Sequence, residues 1–267
     1  MTTPTPAALR TVTATRYVTA LREGGSLPGL VEADDYGMYV VKFRGAGQGT
    51  KALIADLVVG EIGRALGLLV PEMVLIDVDP QLARSEPDYE TRALLQASPG
   101  LNLGIDFLPG SMGFDALDRH EVDPLLASRI VWFDAYATNV DRTARNPNML
   151  HWHKRLWLID HGAALYFHHT WDDYLKRSLS PFTPIKDHVL LLAARALPEA
   201  EAELRSKLTP EALAAIVNLI PDAWLGDEPR FATPDAHRAA YVEYLLRRLE
   251  ASPIFVEEAL RARSPRL

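Results

Sequence analysis

Asp141 is followed five residues later by Asn146, and nineteen residues after Asp141 an apolar run, Trp157-Leu158-Ile159, ends in Asp160-His161-Gly162. An Asp with an Asn at that spacing, then Asp-x-Gly after a strand-like run, is the layout phosphoryl transfer needs. The first Asp stands beside an attacking hydroxyl, and the Asn and second Asp hold magnesium on the phosphates of ATP. Magnesium is a hard cation that keeps several waters, so carboxylate and amide oxygens are the expected ligands. A lone D-x-x-x-x-N arises often by chance. The reading therefore depends on whether the rest of the chain supplies the other parts in order.

Upstream, Met38 to Phe43 is a short β-branched and aromatic run with Lys42 near its end. It predicts a strand with Lys42 on one face, the context of a lysine that contacts the α- and β-phosphates. The other reading of Lys42 is a surface lysine on an edge strand. Asp34-Asp35-Tyr36-Gly37 is a turn, and with the apolar stretch around Leu30 and Val31 it predicts a β-hairpin. One strand earlier, Gly24, Gly25 and Ser26 form a turn that could bring bare backbone N–H groups against phosphates; an ordinary hairpin turn fits equally. Residues 44–50 are glycine-rich but lack the Gly-Lys-Ser/Thr ending of a P-loop, leaving a mobile loop over nucleotide or a plain connector. Lys51 to Leu68 predicts a helix, with Leu53, Leu57, Ile62 and Leu66 in an apolar stripe and Gly67 as its stop. It carries two acids, Asp56 and Glu61, which project in different directions, so only one can pair with Lys42.

These residues together resemble the HipA-like kinases. The resemblance lies in Lys42 on an apolar strand, an acid eleven residues before the Gly-Leu of Ala65-Leu66-Gly67-Leu68-Leu69-Val70-Pro71, then Asn139-Val140-Asp141-Arg142 with Asn146, and Ile159-Asp160-His161-Gly162. It covers residues 15–170 and is closest to the compact, single-domain branch, with phosphoinositide kinases more distant. The family has Glu where Asp56 stands, often His where Thr143 stands, and the magnesium motif here reads Asp-His-Gly. The resemblance implies a protein-kinase-like, two-lobed α+β fold. The expected divisions are a loose tail over residues 1–12, a sheet-rich lobe over 13–105 and a mainly helical lobe over 106–267. It also implies an ATP- and magnesium-dependent kinase acting on a Ser or Thr hydroxyl of a protein, or on a small molecule; the alternative is a nucleotide-binding regulatory module with little transfer. Lys42 would neutralise phosphate charge, Asp56 would aim it, Asp141 would act on the hydroxyl, and Asn146 with Asp160 would hold magnesium. The apolar stretch Leu101 to Gly110 falls where a hinge belongs, with backbone groups of Phe107 and Leu108 against adenine. Better-known relatives are toxins restrained by a partner protein and carry an extra N-terminal domain not evident here, so an antitoxin-like partner is one expectation.

Physical checks on the core agree with one another. Met149 to Trp152 and Arg155 to Ile159 predict a hairpin with His153-Lys154 in the turn, which returns Asp160 beside Asn146. Asp141 falls on a loop after the helical segment Leu125 to Thr138, the usual place for a catalytic group. His151, His153, His161, His168 and His169 cluster in sequence, but without a zinc hydrolase's helical spacing.

At 267 residues and 48% hydrophobic, the chain can bury a sizeable core. The absence of cysteine excludes disulfides and thiol catalysis. A net charge of −7 argues against broad nucleic-acid binding. No run approaches a membrane span and no leader opens the chain, so a soluble, cytoplasmic protein with no membrane partner is expected. Beyond Asp160 the sequence predicts helices over 187–196, ended by Pro198, from Thr209-Pro210, and over 235–251, with residues 221–234 as a connector.

Overall fold

A computed structural model describes residues 8–21, 27–226 and 228–264. Its first half is built on strands β1 (Thr11–Ala20), β2 (Gly29–Ala33), β3 (Met38–Lys42), β4 (Met73–Val78) and β5 (Gly100–Asp106), which close into a barrel in the order β1-β2-β3-β5-β4. Alternation along β3 turns Tyr39 and Val41 into the barrel and leaves Lys42 on the opposite face. The β2–β3 hairpin turns through Asp34–Gly37, where Asp35 accepts the Gly37 N–H at 2.9 Å. The first dozen residues are not all tail. Thr11 to Thr13 pair in parallel with Leu75 to Asp77, and Val12 is buried in the barrel.

Helix α1 (Gly49–Ala65) joins β3 to β4. It ends in a Schellman cap: Gly67, at φ +84°, donates its N–H to Arg64 O at 3.0 Å, and Leu68 donates to Gly63 O at 2.9 Å. The predicted stripe understates its burial, because Leu53 to Gly63 are buried all round. Helix α2 (Tyr89–Gln96) precedes β5.

After β5 the chain becomes helical. Helix α3 (Pro124–Ala137) starts at Asp123, whose carboxylate accepts the Leu125 and Leu126 N–H groups, and ends at Thr138 in the left-handed region. A three-stranded sheet of β6 (Met112–Gly113), β7 (Met149–Trp152) and β8 (Arg155–Leu158) follows the predicted hairpin, with His153 and Lys154 at positive φ in the turn. Then come α4 (Tyr174–Arg177), α5 (Leu197–Arg205), α6 (Pro210–Val217), α7 (Pro234–Glu250) and α8 (Ser252–Arg263). None of these helices is long and apolar enough to cross a membrane.

Residues 187–196 are not a helix. His188 bridges to Thr143, the Val189 N–H donates to Arg142 O at 3.1 Å, and turns fill the rest. These bonds to residues 142–143 replace the ladder a helix would need. Pro198 accordingly opens α5 rather than ending a helix before it. Helix α8 was also not foreseen; Pro253 in its first turn was the available signal.

One cation ties the helical half together. Arg248 of α7 is fully buried and donates to the carbonyls of Ala135, Tyr136, Ser178 and Ser180 at 2.6–3.2 Å, with its guanidinium 4.7 Å from the Phe255 ring centre. It caps the C-terminal end of α3, where a cation is favoured. Arg248→Met should cost about 3 kcal/mol or more, since carbonyls lose their donor in the core, and lower the melting midpoint by about 6–12 °C. Calorimetric melting checks this; an unchanged midpoint would contradict it.

Candidate active site

Strand β3 delivers Lys42 to a buried position between two carboxylates. Its Nζ lies 2.5 Å from Asp56 Oδ2 on α1 and 2.5 Å from Asp160 Oδ1 after β8. The second oxygen of Asp56 accepts the His161 N–H at 2.6 Å. Glu61 instead lies 3.4 Å from Arg64, so the structure brings Asp56 and not Glu61 to the lysine. Burial alone would lower the Lys42 ammonium's pKa, but Asp56 and Asp160 outweigh it and hold it above its ordinary value. Burial pushes Asp56 up to about 6, against the pull of Lys42. Burial alone would raise Asp160, but the charge and hydrogen bond of Lys42, with the Gly162 N–H, together hold it below the usual carboxylate range.

Gly162 is required by this contact. A Cβ there would stand 2.9 Å from Asp56 Oδ2 and 3.5 Å from Lys42 Nζ, so a side chain would wedge the ion pair apart.

Asp141 and Asn146 face the same cavity. A space of about 210 Å³ is lined by Lys42, Asp141, Asn146, Asp160 and Gly162, with Ala46 to Gly49 on another wall. Asp141 Oδ2 accepts from Asn146 Nδ2 at 2.7 Å and from Asn148 Nδ2 at 3.4 Å. The Asn146 amide and Asp160 carboxylate supply hard oxygens on one wall, a donor set that fits magnesium. Ala46 to Gly49, left open between loop and connector by the sequence, lead into the N-terminus of α1, where Gln48 makes no side-chain cap.

A buried network holds the loop that carries Asp141. Asp134, near the end of α3, accepts from Arg142 Nε at 2.5 Å, His188 Nε2 at 2.9 Å and Asn139 Nδ2 at 2.9 Å. Asn139 Oδ1 in turn accepts the Asp141 N–H at 3.1 Å. The Arg142 and His188 contacts hold Asp134 far below the usual carboxylate range despite full burial. His188 Nδ1 accepts the Leu190 N–H, so its proton sits on Nε2 and points at Asp134. Arg142 also donates to the carbonyls of Asn148 and Ile159 and to His161 Nδ1 at 3.1 Å. One guanidinium thus spans the Asp141, Asn146 and Asp160 segments. Sequence reasoning passed over Asp134 and His188; a lone Asp inside an apolar helix, eight residues before Arg142, was the one signal for the former.

The model of the HipA-like kinase family matches residues 15–257. The chain belongs to this family. It is therefore a phosphotransferase by class, and its fold is protein-kinase-like. Two solved structures share that fold at low identity. The Helicobacter pylori proinflammatory kinase CtkA superposes with a TM-score of 0.56 at 13% identity, covering 97% of this chain and 99% of that one. The Golgi casein kinase with Mn/ADP bound gives 0.50 at 13% identity, over 95% of this chain and 74% of that one. A search of curated protein sequences returns no significant match.

Two expected nucleotide contacts remain, the glycine turn and the hinge. Gly24, Gly25 and Ser26 lie outside the described residues. At the hinge, the Phe107 N–H is committed to Met38 O at 3.0 Å and Leu108 O accepts the Ser111 N–H at 3.2 Å. Neither Phe107 nor Leu108 lines the cavity that holds Lys42.

His161 is buried and neutral. Burial, with the Arg142 charge next in size, lowers its pKa to about 3, and its Nδ1 accepts from Arg142. The unfolded imidazole takes its proton near pH ~6.5. Stability from His161 is therefore full above that pH and is lost as pH falls toward 3, by about 1.4 kcal/mol per unit. Denaturant unfolding between pH 7 and 5 should show this slope, reduced by about that amount in His161→Asn. An identical slope in the variant would contradict the assignment.

Proposed function

We propose that this HipA-like kinase transfers the γ-phosphoryl group of ATP, with magnesium, to the hydroxyl of a Ser or Thr in a protein acceptor. The observation that carries the reading is the buried Lys42 ammonium held 2.5 Å from both Asp56 and Asp160, on the cavity that Asp141 and Asn146 also line. A transferring phosphoryl group asks little covalent chemistry of the protein. Positioning and charge supply nearly all of the catalysis.

Each residue then has one task. Lys42 presents a point charge to phosphate oxygens, and Asp56 fixes its direction from α1. Asn146 and Asp160 would hold magnesium, which neutralises phosphate charge when bound. Asn146 and Asn148 occupy Asp141 Oδ2, so Oδ1 is the oxygen available to orient an acceptor hydroxyl and take its proton. The bare backbone of Gly47 and Gly49, at the start of α1, suits close approach by phosphates.

Replacement of Asp141 separates binding from transfer. Asp141→Ala should bind magnesium-ATP within about threefold of wild type, yet lose about 10²- to 10⁴-fold in phosphoryl transfer to a protein acceptor or to water. Full transfer in the variant would remove Asp141 from the mechanism. Transfer to small alcohols but to no protein in a lysate would move the acceptor to the small-molecule class.

A further inference from the structure

Helix α1 precedes β4 and β5 in the chain, and it packs on the helical half as well as on Met73 and Leu103 of those strands. Leu53, Leu57, Val58 and Ile62 share one core with Phe133 and Leu213, whereas the barrel interior forms a separate core of its own. Gly63 allows α1 to press on α3: a Cβ there would stand 3.2 Å from Phe133 Cζ.

Three side chains from the segment between α5 and α7 reach back to α1 or its neighbour. At the C-terminal end, Lys207 Nζ donates to Leu66 O at 3.1 Å while Glu203 holds the same ammonium at 2.7 Å. At the first turn, Lys51 Nζ lies 3.3 Å from Glu228 Oε2 and 3.3 Å from His169 O. Between these ends, Trp224 is buried beside α1 and donates its indole N–H to Leu101 O of β5 at 3.0 Å. The Lys207 ammonium acts on a carbonyl at the C-terminal end of α1, where a helix has unsatisfied acceptors, whereas Glu228 holds the first turn through the side chain of Lys51.

We propose that the segment from Lys207 to Glu228 clamps α1 from both ends, making Lys207 and Glu228 positioning residues that keep Asp56 in register with Lys42. The ion pair is then assembled by the fold itself and needs no partner or modification to swing α1 into place. The proposal rests on the phosphoryl-transfer reading only for what the pair accomplishes; the clamp itself is a statement about α1.

Native-state hydrogen exchange on the full chain reads the clamp directly. In the wild type, α1 amides should exchange as one unit with α3 and more slowly than β1 and β2. In the double variant Lys207→Met, Glu228→Gln, α1 exchange should accelerate at least tenfold relative to α3. Turnover of magnesium-ATP per binding-competent molecule, counted from the stoichiometry of ATP binding, should fall at least fivefold. KM for ATP should stay within twofold, because Lys42 keeps Asp160 as a partner. Lys207→Arg, with Glu228 intact, should retain wild-type exchange and turnover. Exchange of α1 with β1 to β3 in the wild type, or unchanged α1 protection in the double variant, overturns the clamp. A wild type with the expected exchange pattern that binds no nucleotide contradicts the phosphoryl-transfer reading and leaves the clamp supported.

Discussion

A lysine ammonium held out of water by two carboxylates is the contact on which the remaining geometry depends. Lys42 comes from the barrel, Asp56 from α1 and Asp160 from the segment after β8. Desolvation makes the Lys42 and Asp56 charges costly alone, so the pair persists only while the elements carrying them stay in register. That requirement accounts for features distant in sequence. Gly162 leaves room for the pair, the His161 N–H takes the second oxygen of Asp56, and Gly63 lets α1 approach Phe133 of α3 closely.

The same logic governs the layer beneath. Arg142 and Asp134 are fully buried, and their bonds tie the Asp141 loop to α3, to the Asn148 and Ile159 carbonyls and to His161. A buried charge with several directed bonds is costly to misplace, so such a network selects one loop geometry over its alternatives. Arg248 does likewise at the same C-terminal end of α3, through the carbonyls of Ala135 and Tyr136. The helical half thereby presents Asp141, Asn146 and Asp160 from a rigid base, as precise chemistry needs.

Much of this was legible in the sequence, and the failures have physical causes. Lys42 on its strand, the Gly67 stop, the His153-Lys154 turn and the Asp141, Asn146 and Asp160 placements follow from local rules: alternation, capping and turn chemistry. Helix geometry narrows the partner of Lys42 to Asp56 or Glu61, the family resemblance selects Asp56, and the distances agree. His188 was invisible because its role comes from a contact with Asp134 across 54 positions that no local pattern encodes, and Asp134 offered only its place as a lone acid in an apolar helix. The false helix over 187–196 has the same origin: tertiary pairing with residues 142–143 overrode an apolar run. Hinge contacts rest on the resemblance, and of the groups assigned to them the Phe107 N–H bonds Met38 O.

The most direct measurement is a calorimetric titration of ATP, with and without magnesium, into the wild type and into Asp160→Ala. Binding in the wild type should depend on magnesium, and in the variant it should weaken by at least about tenfold, ~1.4 kcal/mol, and lose that dependence. A well-folded wild type that binds no nucleotide, or a variant that binds magnesium-ATP as tightly as wild type, would contradict the account.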